Sequence, residues 1–75
     1  MKFRKFLLTT YKLAQNDTST IIRSDDFKRH LKLTYKEEIK QSNYWLKQGA
    51  IKQHPVRGGE FEYRITDHGL FLGEK

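Results

Sequence analysis

The chain has 75 residues, no cysteine, one proline, five Phe, four Tyr and one Trp, and its 15 Lys plus Arg against 9 Asp plus Glu give a formal net charge of +6. That length leaves room for one domain, residues 1–75, and the missing cysteines exclude a disulfide framework and fit a reducing, cytoplasmic setting. No bilayer span is expected either, because no apolar run approaches the length needed, and Phe6-Leu7-Leu8, behind the basic Lys2, Arg4 and Lys5, stops at Thr9-Thr10, too short for the apolar region of a signal peptide.

The first apolar pattern is Phe3, Phe6, Leu7, Thr10, Tyr11, Ala14, in steps of three and four. That is one face of a helix, expected from about Lys2 to Gln15 and broken by Asn16-Asp17. The β-branched Ser19-Thr20-Ile21-Ile22-Arg23 reads as a short edge strand. Ser24 then reads as an N-cap, with Asp25 and Asp26 in a first turn where the helix dipole favours acids. This second helix carries Phe27 and Leu31 inward and ends near Lys32.

Thr34-Tyr35-Lys36-Glu37 has the form of a capping box, in which hydroxyl and carboxylate each accept the other residue's backbone N–H. A third helix therefore starts within a few residues of the second, which predicts a helix-turn-helix crossing, and it runs to about Gln48 with Gly49 as its stop. At about 100° per residue, Tyr35, Ile39, Ser42 and Leu46 share the side expected to face the core. Lys36, Lys40, Asn43 and Lys47 share another side, with Gln41 and Tyr44 beyond.

After Gly49 the period changes to two. Ile51 to Val56 and Glu60 to Ile65 flank Arg57-Gly58-Gly59, a hairpin signal. A two-residue Gly58-Gly59 turn would mix the faces. A three-residue loop sets Ile51 opposite Ile65, Gln53 opposite Tyr63 and Pro55 opposite Phe61, so that register is expected. Thr66 caps a last short turn or helix, and Leu70-Phe71-Leu72 either closes the monomer against helix one or forms a homodimer contact. One core of Phe6, Phe27, Leu31, Ile39, Leu46, Tyr63 and Ile65 is expected, with Trp45 in it or at its edge.

The order helix, strand, helix, helix, hairpin, short helix resembles the winged helix-turn-helix superfamily of bacterial and phage regulators. The residues that carry the resemblance are Phe27-x-x-x-Leu31, Ile39-x-x-Ser42-x-x-Trp45-Leu46-x-x-Gly49-Ala50-Ile51, and the exit Tyr63-Arg64-Ile65-Thr66-Asp67-His68-Gly69. The chain differs from many relatives in having Ser42 at an aliphatic position and almost no C-terminal helix. The resemblance implies an α+β fold with a β-hairpin wing, and helix three as the element that reads DNA.

The charge pattern agrees with that implication. Phe27 to Gly59 holds eight basic and two acidic residues, so the +6 lies there and the remainder is neutral. Lysines can neutralise phosphates or reach guanine edges, and an Asn can pair with adenine in the major groove. The expected DNA-binding residues are Tyr35, Lys36, Lys40, Gln41, Asn43, Tyr44 and Lys47, with Arg57 and Gly58 at a wing tip beside the minor groove. The plainer account of the same residues is a solvated helix face and an ordinary turn.

The three histidines are scattered, and no nucleophile–base pair or phosphate-cradling glycine motif occurs. No cofactor, metal, small-molecule ligand or enzymatic activity is therefore expected. The leading expectation is a sequence-specific duplex-DNA binder, a small transcriptional regulator or accessory factor of a phage or mobile element, acting as a homodimer. The alternative is a winged-helix protein-interaction module, an inhibitor or adaptor docking on a host protein.

Overall fold

The computed structural model describes residues 2–75. In chain order they form α1 (Arg4–Ala14), β1 (Ile22–Arg23), α2 (Ser24–Leu31), α3 (Tyr35–Lys47), β2 (Ile51–Pro55), a 3-10 turn (Arg57–Gly59), β3 (Phe61–Ile65) and α4 (Asp67–Gly73). The fold is α+β: four helices and a three-stranded antiparallel sheet of order β1-β3-β2 among the described residues. None of these helices is long and apolar enough to cross a membrane.

The hairpin register is the one the alternation predicts: Ile51 faces Ile65, Gln53 faces Tyr63 and Pro55 faces Phe61. The three-residue link is a 3-10 turn with Gly58 at φ 82° and Gly59 at φ 75°, a left-handed conformation that a side chain would strain. β1 adds to the other edge of β3, with Ile22 opposite Tyr63 and Arg23 opposite Glu62. It covers two residues, against the five expected, since Ser19 to Ile21 never reach the ladder.

Among the described residues, ten buried apolar ones form the core. At its centre the rings of Phe6 and Phe27 stack at 4.1 Å, and both meet Tyr63 edge-on, at 5.9 and 5.3 Å. Aromatic pairs of this geometry add about 0.5–1.5 kcal/mol each beyond their buried area, a useful sum in so small a domain. Of the expected core, Phe6, Phe27, Tyr63 and Ile65 are buried, while Leu31 and Leu46 pack against the cluster from its margin.

Three local expectations need correction. Ser24 is the first residue of α2, and Arg23 is the N-cap; the Arg23 N–H donates to Asp26 Oδ2 at 2.9 Å. Ser24 is buried instead, where its hydroxyl donates to Glu38 Oε2 at 2.6 Å and accepts the Phe61 N–H at 2.9 Å. In α3 the buried residues are Glu38, Ser42 and Trp45, whereas Tyr35 is 56% exposed and Ile39 is only half-buried. Taken at about 100° per residue, the core face is turned roughly 60° from the expected one. Trp45 drives this rotation, because its bulk fills the core and its indole N–H needs an acceptor, found in the Phe3 carbonyl at 2.9 Å.

The third correction concerns the C-terminus, where almost no helix was expected: of the short turn or helix that Thr66 caps, the helix forms, and it is seven residues long. Thr66 caps it by accepting the Gly69 N–H at 3.0 Å. Gly69 permits close packing: a Cβ there would lie 2.1 Å from the Ala50 carbonyl oxygen and 2.7 Å from Ile65 Cγ1. With α4 seated this way, Leu70 and Leu72 pack against the core and Phe71 is 54% exposed.

Candidate nucleic-acid interface

The candidate interface begins with what fixes α3. Its N-terminus carries the expected capping box, with Thr34 N–H donating to Glu37 Oε1 at 2.9 Å and Glu37 N–H to Thr34 Oγ1 at 3.2 Å. The backbone bond from Thr34, then its side-chain bond, hold the Glu37 carboxyl below the usual carboxylate range, so it is ionised and engaged at the helix start. The C-terminus is a Schellman stop. Gly49 sits at φ 72°, its N–H donating to the Leu46 carbonyl, and the Ala50 N–H donates to the Trp45 carbonyl, both at 3.0 Å.

Between these ends a buried polar network holds α3 to the rest of the fold. Glu38 Oε2 accepts from the Ser24 hydroxyl at 2.6 Å and from the Tyr63 hydroxyl at 2.7 Å, and Glu38 is only 1% exposed. Gln53 Nε2 lies 3.4 Å from both Ser42 Oγ and Tyr63 OH. Residues from α2, α3, β2 and β3 therefore meet in one cluster. Burial first of all, with donation to Glu38 in addition, pushes the Tyr63 phenol above its ordinary range and keeps it a donor.

Sequence reasoning missed this cluster. The signal available was the Glu38, Ser42, Trp45 spacing of four and three, obscured because two of the three are polar. Ser42, the residue that departs from the aliphatic pattern, is explained by it: the hydroxyl is the α3 partner for Gln53.

The rotation of α3 changes where its outer residues point. At about 100° per residue, the Lys36, Lys40, Asn43, Lys47 stripe lies roughly 160° from the buried face, almost directly outward, whereas the expected placement was on a flank. All four residues are exposed. Among the described residues the ion pairs are Arg23–Glu62, Lys28–Glu60 and Arg29–Asp26, and none involves a lysine of this stripe. The positive charge there has no internal counterion, while the acid nearest the helix start, Glu37, is engaged in the cap.

The other expected residues divide. Tyr35 opens α3 and is exposed. Gln41 and Tyr44 are half-buried. Tyr44 is committed to packing, edge-on to Phe3 at 5.7 Å and to Trp45 at 4.9 Å. The ammonium of Lys40 lies 5.9 Å from the Phe3 ring, so this aromatic group also orients one cation of the stripe. Arg57 and Gly58 are exposed at the tip of the hairpin, in the 3-10 turn.

Such a surface can offer ammonium groups and one amide along a rigid helix face, with a guanidinium on a separate hairpin. No family model, curated protein or solved structure matches the chain.

Proposed function

We propose that the chain is a sequence-specific duplex-DNA-binding protein of the winged helix-turn-helix kind, a small regulator or accessory factor whose reading element is α3. The observation that carries this reading is the outward stripe of Lys36, Lys40, Asn43 and Lys47, in no ion pair among the described residues and backed by a fixed buried face.

In this reading Lys36, Lys40 and Lys47 neutralise phosphates or reach guanine edges from the major groove, and Asn43 pairs with adenine. Arg57 enters the minor groove from the hairpin tip. The buried network serves the same end, since base contacts discriminate only when the helix that presents them is held in one orientation.

Four cations on phosphates correspond to a salt slope of about −3.6, a loss of affinity of roughly 150-fold between 50 and 200 mM salt. The test is binding to duplexes selected from a random pool, comparing the wild type with Lys36→Ala/Lys40→Ala. The expected result is weaker binding and a slope nearer about −1.8. Unchanged affinity in a folded double variant would refute the assignment of this face. A chain that retains its fold, binds no duplex and captures a protein would favour the interaction-module reading.

A further inference from the structure

A second basic surface lies on the outer face of the sheet. Strand alternation turns Ile22, Ile51, Tyr63 and Ile65 toward the helices, and Arg23, Lys52, His54, Glu62 and Arg64 the other way. Arg23 is bridged to Glu62 at 3.5 Å, and His54 faces Glu62 across the ladder. Lys52 directly faces Arg64, both are exposed, and neither has an ion-pair partner among the described residues.

Like charges directly opposite on paired strands oppose folding, so this pair lowers stability unless an anion lies against it. The surface there is concave. A hollow of about 400 Å³ is lined by Lys52, Gln53, His54, Glu62 and Arg64, and a second of about 310 Å³ shares Lys52 and Arg64. Asp67 lines the second hollow without an ion pair to either cation.

This face and the α3 stripe point away from each other. Through Glu38 and Ser42, α3 meets the inner-face residues Tyr63 and Gln53, and its stripe lies on the side turned from them. Lys52 and Arg64 leave the opposite side of the same sheet. The molecule measures only 31 × 24 × 21 Å, and a straight duplex laid on α3 runs past the far side from the sheet's outer face.

We propose that the outer sheet face binds the phosphodiester backbone of a second duplex segment, so that one molecule bridges two duplexes. This rests on the reading of α3 as a duplex-binding face. Charge complementarity names the occupant: Lys52 and Arg64 are adjacent cations in no ion pair among the described residues, while Glu62 in the same hollow is taken by Arg23 and Asp67 offsets only part of the charge, so the open surface suits a polyanion. The His54 imidazole is the one ring in these hollows and no Phe, Tyr or Trp lines either, so the run of stacking platforms that a single strand would use is missing.

The test immobilises one duplex, saturates it with protein, and offers a second, fluorescent duplex. It compares the wild type, Lys52→Glu/Arg64→Glu and Lys36→Ala/Lys40→Ala, each checked for an unchanged melting transition. The wild type should capture the second duplex, and two neutralised phosphates imply a capture step that weakens about 12-fold between 50 and 200 mM salt. The sheet variant should lose capture while keeping its affinity for the immobilised duplex within about twofold, since Lys52 and Arg64 lie on the face turned away from it.

Capture that survives in the sheet variant would place the second duplex on a dimer or on α3 and overturn the proposal. A wild type that binds the first duplex and captures no second one overturns it too, and leaves the α3 reading standing. First-duplex binding unchanged in the Lys36/Lys40 variant refutes the α3 reading instead.

Discussion

Changing Tyr63 to phenylalanine removes one oxygen from the centre of the molecule and keeps the ring that Phe6 and Phe27 pack against. The hydroxyl donates to Glu38 Oε2 at 2.7 Å in a site with almost no access to water. Removing one partner of a buried hydrogen bond costs about 1–3 kcal/mol, and Glu38 would be left with Ser24 alone. In a domain of this size each kcal/mol corresponds to about 4–8 °C, so Tyr63→Phe should lower the melting temperature by roughly 4–24 °C. Thermal unfolding followed by circular dichroism reads this directly. The bond to Glu38 is isolated by repeating the change in a Glu38→Leu background, where the phenol has lost its acceptor. The cost of Tyr63→Phe should fall there. A melting temperature within experimental error of the wild type, or an equal cost in both backgrounds, would refute the account of the cluster.

Four further outcomes are expected. Gly69→Ala forces a methyl group against the Ala50 carbonyl and should cost about 1–3 kcal/mol in chemical denaturation, whereas Gly59→Ala meets nothing within 4 Å and should cost only the left-handed backbone conformation, about 1–2 kcal/mol. The Tyr63 phenol, raised in the folded state, contributes stability that is complete below the unfolded value of 10.0 and is lost as pH climbs above it. Unfolding free energy should therefore fall by up to about 1.4 kcal/mol per pH unit beyond that point, and Tyr63→Phe should remove this part of the slope. Thr34→Ala breaks the capping box and should lower stability by about 1 kcal/mol with a matching loss of DNA affinity if α3 is the reader, measured by melting and by filter binding. With Leu70 and Leu72 packed on the core, the free chain should sediment as a monomer, and Phe71→Ser should leave that unchanged; a stable dimer without DNA would contradict it.

The parts of the fold that were legible are those in which a local rule and the tertiary structure ask for the same thing. The hairpin register follows from alternation and loop length, since the three-residue loop puts Ile51, Tyr63 and Ile65 on one face and the two-residue loop does not. The Thr34 box and the Gly49 stop were legible for the same reason, since each is satisfied within a few residues of chain.

What escaped depends on residues far apart in sequence. Ser24 looks like a cap, and its hydroxyl serves Glu38 and Phe61 instead. The core face of α3 is two-thirds polar, so a wheel weighted by hydrophobicity settles on Tyr35 and Leu46 and turns the helix too far. The lysine stripe was visible regardless, because charge is read without knowing the partner. Correcting the helix rotation moves the stripe from a flank to the side directly away from the core.

The strand order has a consequence for how the molecule is made. β3 is central in the sheet and late in the chain, and Ile22 waits for Tyr63, about 40 residues away. Closing a loop of that length costs about 3 kcal/mol or more before any contact forms, and Phe6 and Phe27 lack their edge-on partner until it closes. A nascent chain that has not yet delivered Phe61 to Ile65 thus has three helical segments and a core without Tyr63 and Ile65, with apolar rings open to water. Folding must be a single late event, so that a chain cut short before β3 is a substrate for proteases, with no working half-molecule left behind.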